Sequence, residues 1–283
     1  MKTRFRTLSL AAVLLCAAGG FAYAIPSLGG PTGIVSVPTA AIAPVGELQT
    51  ALTYQSQEIQ AQDMYAGQVS ADVTVWQLQA LVGVAPEAEL WAAYALADQD
   101  TPTASETANM WAFGGKYQLT NEPEDQTALA VGGSLEKWSD LMMMSGSPGD
   151  ADVFKLYAVA TKDFTPLGGE AWEWSSGAGT RMLGSLGILY ISVDPDMASR
   201  ESLVRPFVGF EFVGEGGTAL GLEYRWKDND LDQKAVFSAV LRHPASPEVT
   251  VEVGTTNAGP GGLGLDDQDI FVRLGYNFPM AGP

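Results

Sequence analysis

Twelve segments of this chain place apolar and polar residues at alternating positions. Each segment is 10 to 13 residues long, and Gly, Pro, Asp and Asn clusters separate most of them. Successive side chains of a strand point to opposite faces, so each segment predicts a strand with one apolar and one polar face. The segments cover residues 46–55, 72–84, 88–98, 108–119, 127–137, 152–163, 181–193, 203–213, 217–227, 234–243, 247–256 and 268–278.

The length of the segments distinguishes two classes of all-β protein. Strands of soluble proteins typically contain about 5–6 residues, whereas a tilted strand that crosses an outer membrane needs about 9–11. Links after odd-numbered segments are long or acidic, and most links after even-numbered segments are short, as in an outer-membrane barrel whose N-terminus is periplasmic. We predict an antiparallel transmembrane β-barrel of about 12 strands, with short periplasmic turns and longer extracellular loops. Residues 163–180 depart from this rhythm.

A soluble alternative has the same alternation. A secreted β-sandwich or β-barrel that binds a ligand would turn its apolar face to an inner core and its polar face to water. The membrane barrel is the preferred interpretation because segment length, loop rhythm and the aromatic residues at segment ends favour it together.

The first 24 residues have the features of a cleaved signal peptide. Lys2, Arg4 and Arg6 precede a short apolar stretch, and Ala22-Tyr23-Ala24 fits the small-x-small cleavage pattern. The remaining chain keeps 12 basic and 33 acidic residues, for a net charge of −21, and has no cysteine. This charge argues against nucleic acid as a partner. We expect export to the outer membrane, with outer-membrane lipid and lipopolysaccharide as neighbours.

The remaining chain divides into three parts. Residues 25–45 form a predicted periplasmic lead segment, 46–278 the barrel, and 279–283 a C-terminal tail. Apolar residues occupy every even position from Ile270 to Phe278. This ending resembles the C-terminal insertion signal of outer-membrane barrels, with Tyr276 and Phe278 as its aromatic residues. The resemblance implies the barrel-assembly machinery as a partner.

The polar faces of the segments predict the wall of a lumen. A twelve-strand barrel is wider than the eight-strand type that side chains just fill and narrower than porins of 16–18 strands. Two interpretations follow, namely a narrow channel or export-associated component and a closed barrel with a structural or surface-interaction role. The lumen-facing candidates are Gln77, Gln79, Glu223, Arg225, Glu248, Glu252 and Arg273.

The lead segment contains the most distinctive motif outside the strands. Residues 30–40 read Gly-Pro-Thr-Gly-Ile-Val-Ser-Val-Pro-Thr-Ala, in which prolines fix φ and glycines permit positive φ. The segment resembles the opening of YjbH-like outer-membrane proteins, a family linked to exopolysaccharide. The resemblance implies a barrel and a saccharide partner, and it brings no catalytic residue.

Neither an enzyme site nor a cofactor is expected. The only histidine, His243, precedes a proline in a predicted turn, and Ser238 has the opposite strand phase. Asp228, Asp230 and Asp232 offer alternating oxygen ligands of the kind that Ca²⁺ takes, but the Gly and Glu of an EF-hand loop are missing. Solvated acidic loops are the preferred interpretation, and a weak divalent-ion role is the alternative.

Overall fold

The chain folds into one closed antiparallel barrel of twelve strands. The computed structural model describes residues 26–28, 30–63, 67–100, 105–122, 127–142, 148–164, 181–195, 200–227, 234–259 and 264–279. Each strand pairs with its neighbours in sequence, and β12 pairs with β1 to close the sheet. The strands are β1 (Glu47–Asp63), β2 (Gly67–Ala85), β3 (Ala88–Asp100), β4 (Ser105–Glu122), β5 (Thr127–Met142), β6 (Pro148–Asp163), β7 (Arg181–Pro195), β8 (Glu201–Val213), β9 (Ala219–Arg225), β10 (Val236–Pro244), β11 (Val249–Ala258) and β12 (Gly264–Pro279). The predicted fold class is confirmed.

Several strands are longer than the sequence pattern predicts. The link 56–71 was expected to be an extracellular loop, but the pairing of β1 with β2 continues from Ser56↔Thr74 to Asp63↔Gly67. The register shows main-chain pairing along this extension. Residues 56–71 carry no sustained apolar alternation in the sequence, so the pattern did not predict a strand there. The short links between β2 and β3, between β8 and β9 and between β10 and β11 lie at the opposite end, which is the periplasmic end in barrels of this kind.

Large apolar side chains cover the outside of the barrel. Leu78 on β2, Leu186 on β7 and Leu274 on β12 each expose about half or more of their surface. Their sequence neighbours Gln79, Ser185 and Arg273 are buried on the inside. An exterior of large apolar side chains around an interior that holds many buried polar and charged side chains suits contact with lipid. No helix among the described residues is long and apolar enough to cross a membrane.

Aromatic pairs border this apolar band. The rings of Tyr54 and Trp76 lie 4.8 Å apart towards the extracellular side. The rings of Tyr276 and Phe278 lie 4.3 Å apart at the periplasmic end of β12. Tyr and Trp are enriched where a barrel meets the two headgroup layers, because they combine an apolar ring with a polar group.

Candidate functional site: a lumen closed by the N-terminal segment

The predicted lead segment lies inside the barrel. Residues 26–28 and 30–43, here called the lumen plug, fold into a compact loop with antiparallel bridges between Pro26 and Thr32 and between Gly33 and Pro38. Ile34, Val35 and Val37 are no more than 1% exposed. The sequence predicts a periplasmic lead segment at residues 25–45, and the described residues of this stretch lie within the lumen, at its periplasmic half. Its apolar side chains have no strand partner, and burial in the lumen removes them from water.

The wall of β9 holds one side of the lumen plug through a single carboxylate. Glu223 is 2% exposed, and it accepts hydrogen bonds from the main-chain N–H groups of Val35, Ser36 and Val37 at 2.9–3.1 Å. The Ser36 hydroxyl donates to the same carboxylate. Three successive N–H groups around an anion form a nest of the kind that binds phosphate and carboxylate. Glu223 thus satisfies main-chain donors that the loop leaves unpaired.

A second carboxylate anchors the opposite side of the lumen plug. Glu89 on β3 accepts from the main-chain N–H groups of Thr32 and Ala43, both at 2.9 Å, and from the Thr32 hydroxyl at 2.6 Å. It also pairs with the fully buried ammonium of Lys116 on β4 at 3.0 Å. Lys116 in turn donates to the carbonyls of Thr32 and Thr39, each at 3.1 Å. Such extra hydrogen bonds are what a buried ion pair requires to offset its desolvation.

A row of alternating charges lines the inner wall on strands β8, β10, β11 and β12. The Arg242 guanidinium lies 2.5 Å from one oxygen of Glu252 and 2.6 Å from Glu211, and Arg273 lies 3.2 Å from the other oxygen of Glu252. Arg242 also donates to the carbonyl of Gly33, and Arg273 to that of Pro26. The two arginines therefore connect the wall to the plug, while Glu211 and Glu252 together balance their charges.

Small wall residues create the space that the plug occupies. Gly209 on β8 lies under Ile34, since a Cβ at Gly209 would stand 2.5 Å from the Ile34 Cδ1 atom. Within the plug, Gly30 has a φ of +102°, and a Cβ there would stand 2.3 Å from the Trp91 ring. Positive φ and close approach both select glycine. Wall and plug are therefore complementary in shape as well as in charge.

The structure places most of the predicted lumen residues on the inner wall. Gln79, Glu223, Arg225, Glu252 and Arg273 are each at most 2% exposed, and Gln77 lines the cavity described below. All but Gln77 lie where the wall meets the plug, or next to it.

Glu248 differs from the expectation. It lies in the turn before β11, is exposed, and accepts a hydrogen bond from the Ser246 hydroxyl. The apolar–polar alternation around Glu252 extends back in the sequence to Glu248, which precedes the first residue of β11. Alternation alone therefore could not exclude Glu248 from the lumen-facing set.

Sequence reasoning missed the other half of the anchoring set. Glu89, Lys116, Arg242 and Glu211 lie on the inner wall or at its edge and were not selected as candidates. A usable signal was present, since charged residues on the polar face of a narrow barrel require partners. Strand register supplies part of the answer, because Glu89 lies directly opposite Lys116 and Arg242 directly opposite Glu252, and the plug supplies the remaining partners.

The remaining candidates occupy other parts of the chain. Tyr276 and Phe278 lie on the outward face of β12, level with Thr50 and Leu48 of β1. His243 lies near the end of β10 with its Nδ1 atom 2.8 Å from the Thr218 hydroxyl. Asp228, Asp230 and Asp232 lie outside the described residues. Within the described part of the chain, His, Cys, Asp and Glu side chains form no group of three that could hold a metal.

A cavity of about 100 Å³ lies above the plug, towards the extracellular side. Leu28, Pro31, Ser36 and Pro38 of the plug contribute to its lining. Aromatic side chains on β3, β5 and β6 line its wall, namely Trp91, Trp138 and Tyr157. The lumen therefore consists of a plugged periplasmic half and a vestibule above it.

Comparison with known proteins identifies the architecture. No protein-family model matches this chain, and no curated protein matches its sequence. The fold is similar to the COG4313 outer membrane channel from Pseudomonas putida F1, with a TM-score of 0.56 and 12% identity over 84% of this chain and 98% of that chain. It is also similar to the KdgM porin in complex with disordered oligogalacturonate, with a TM-score of 0.51 and 12% identity over 81% of this chain and 99% of that chain. The apolar exterior and the shared fold together place the barrel in an outer membrane.

Proposed function

We propose that this protein is a narrow outer-membrane channel that its own N-terminal segment holds closed. The observation that carries the proposal is the way in which the plug is bound. Polar side chains of β2, β3, β4, β6, β9, β10 and β12 bond to it from around the lumen. The bonded groups are mostly main-chain atoms of the plug, so a loop fills the periplasmic half, held by these hydrogen bonds and by the burial of Ile34, Val35 and Val37. A loop of this kind can leave without dismantling the barrel, because the wall strands pair with one another.

Saccharides are the proposed solutes. The motif at residues 30–40 resembles YjbH-like proteins, which are linked to exopolysaccharide, and these residues form most of the plug. The KdgM porin, which shares the fold, is in complex with oligogalacturonate. Both points support a saccharide channel, and the resemblance to YjbH-like proteins supports a part in exopolysaccharide export.

Conductance in planar bilayers tests the proposal. The double variant Glu89→Gln/Glu223→Gln removes the two carboxylates that anchor the plug, so we expect it to open far more often than the unchanged protein. Glu248→Gln is the matched control, because it removes the same charge in a turn away from the plug. A double variant that stays as silent as the unchanged protein, while still folded, would favour the closed structural barrel.

A further inference from the structure

The outer face of β7 and β8 changes from apolar to polar at one level. Towards the extracellular end of β7, the successive residues of outward phase are Ile188, Tyr190 and Ser192. Val204 of β8 lies opposite Tyr190, and Ser202 lies opposite Ser192. Apolar side chains therefore give way to an aromatic ring and then to hydroxyls. Because Tyr and Trp mark the headgroup layers of a barrel, Tyr190 indicates the headgroup layer of the outer leaflet.

Tyr190, Ser192, Arg200 and Ser202 form a hydrogen-bonded group at this level, here called the Arg200 cluster. The Tyr190 hydroxyl donates to the Ser202 hydroxyl at 3.1 Å, and the Ser202 hydroxyl donates to the Ser192 hydroxyl at 3.1 Å. The Arg200 Nε atom donates to the same Ser192 oxygen at 2.8 Å. Ser192 is 1% exposed, whereas Arg200 and Ser202 are exposed. The hydroxyls therefore orient an exposed guanidinium.

The Arg200 side chain turns towards the membrane. The register of β7 with β8 puts the backbone of Arg200 at the level of Asp194, whereas its Nε atom bonds to Ser192, one outward position closer to the apolar band. Asp194 lies opposite Asp152 of β6, and both are exposed, as is Glu201. Within the described part of the chain, no ion pair joins Arg200 to a carboxylate. The guanidinium is thus held on the membrane side of the pair formed by Asp152 and Asp194.

Phosphate is the ligand that suits this arrangement. A guanidinium presents its N–H donors in a planar fork, and two parallel N–H groups match two oxygens of a phosphate. The Arg200 Nε atom donates to Ser192, and the terminal nitrogens of Arg200 make no hydrogen bond to other described residues. A phosphate free in water would meet a chain with 33 acidic residues. The acyl chains of a lipid, in contrast, hold its phosphate at the headgroup layer, next to the apolar band.

We propose that the Arg200 cluster binds a phosphate group of lipid A, the glycolipid of the outer leaflet. The phosphate accepts hydrogen bonds from the terminal N–H groups of Arg200. The acyl chains contact the apolar residues below the cluster, among them Ile188 and Val204, which are 48% and 53% exposed. The proposal requires the outer-membrane position of the barrel and not the channel, so the lipid site and the channel can fail independently.

Native mass spectrometry of the folded protein in detergent micelles tests this site. The probes are bisphosphorylated lipid A, the same lipid after enzymatic removal of both phosphates, and inorganic phosphate. EDTA is present throughout, so that metal ions do not bridge the lipid to Asp152 and Asp194. We expect the bisphosphorylated lipid to bind about tenfold more tightly than the dephosphorylated lipid, as for hydrogen bonds to a charged group. Equal binding of the two lipids would overturn the proposal, as would tighter binding of inorganic phosphate, which would indicate a site for free anions.

Two variants and a control locate the binding. Arg200→Gln should weaken the binding of bisphosphorylated lipid A by about tenfold, because it removes the charged donor. Ser192→Ala removes the acceptor that orients Arg200, so affinity should fall by about threefold. Arg181→Gln is the control, because Arg181 is also an exposed arginine but lies at the periplasmic end of β7, where it pairs with Asp163 at 2.7 Å.

The two arginine variants separate a site from a general attraction between the lipid and positive charge. Each removes one positive charge from an exposed position, so a general attraction would lower the affinity equally in both. A loss of affinity in Arg200→Gln and Ser192→Ala, with none in Arg181→Gln, supports the site. Equal affinities of the folded Arg200→Gln and Arg181→Gln proteins for bisphosphorylated lipid A would contradict it.

Discussion

The main-chain N–H of Val37 donates a hydrogen bond of 3.0 Å to the Glu223 carboxylate, across 186 positions of sequence. Val37 belongs to the plug and Glu223 to the ninth strand of the wall. The plug can make this bond only when β9 is in place in the wall. Since the wall strands pair with one another and β12 pairs with β1, the proposed function expects the barrel to remain when the plug leaves.

Glu223→Gln should loosen the plug without unfolding the barrel. The amide keeps one acceptor oxygen but loses the charge, and its NH₂ group faces N–H donors of the plug. A hydrogen bond to a charged group contributes about 1.5–3 kcal/mol, so amide hydrogen exchange in residues 33–38 should accelerate about tenfold or more. Hydrogen exchange with mass spectrometry measures this rate. Glu248→Gln should leave the rate unchanged, and equal rates in both variants would contradict the role of Glu223.

Glu252→Gln should lower the stability of the barrel far more than Glu248→Gln. The two glutamates lie four residues apart and share a sequence phase, but Glu252 is fully buried between Arg242 and Arg273 and Glu248 is exposed. Removal of one partner of a buried charge pair costs about 3–5 kcal/mol. Urea unfolding in lipid vesicles gives the free energy of unfolding of both variants. Similar stabilities would mean that the charge row is solvated.

The buried pair of Glu89 and Lys116 should behave as a coupled unit. Each single change, Glu89→Gln or Lys116→Met, leaves one buried charge without its partner, at about 3–5 kcal/mol. The double variant leaves neither charge, so it should cost clearly less than the sum of the single changes. Unfolding free energies of the four proteins complete the cycle. Additive costs would show that the two groups do not interact.

Gly209→Ala should displace the plug, and a second change should restore it. The added Cβ would stand 2.5 Å from the Ile34 Cδ1 atom and at ordinary contact distance from the wall. Ile34→Val removes that methyl group, so the double variant should recover slow hydrogen exchange in the plug. Gly214→Ala is the control, because its Cβ would meet only the Thr218 carbonyl at 3.6 Å. Failure of Ile34→Val to rescue would mean that Ile34 is not the obstacle.

Ile188→Arg should destabilise the barrel through its lipid face. Ile188 lies at the midpoint of β7 and is 48% exposed on the outside. An arginine at the bilayer midplane costs about 2–4 kcal/mol in an outer-membrane barrel. Ile188→Leu should be nearly neutral. Unfolding in lipid vesicles measures both, and full tolerance of the arginine would contradict the membrane position of this face.

The barrel was predictable from the sequence because its outer face contacts lipid and its inner face lines the lumen. Leu78 faces lipid and Gln79 the lumen, and such pairs recur around the barrel, whereas the inward residues of β3 and β6 are mostly apolar. The extension of β1 and β2 was not predictable, because residues 56–71 carry no sustained apolar alternation in the sequence. Residues 165–180, where the loop rhythm fails, lie outside the described residues.

The plug was not predictable from local pattern. Its motif indicates an ordered turn-rich segment, but nothing in residues 30–40 states what the segment packs against. Its partners Glu89 and Glu223 lie on two distant strands, and only closure of the barrel brings them together. Glu223 was selected as a lumen residue by phase, whereas its role as an acceptor for main-chain N–H groups depends on the plug.

A reversible cross-link between plug and wall tests the gated channel most directly. The main-chain N–H of Ala40 lies 2.8 Å from the Thr161 hydroxyl on β6, so Ala40→Cys/Thr161→Cys places two thiols within reach of each other. Combined with Glu89→Gln/Glu223→Gln in planar bilayers, this pair should give a closed protein when oxidised and channel openings after a reducing agent is added. Openings that are equally frequent in the oxidised and reduced protein, with the cross-link verified by mass spectrometry, would contradict the plug as the gate.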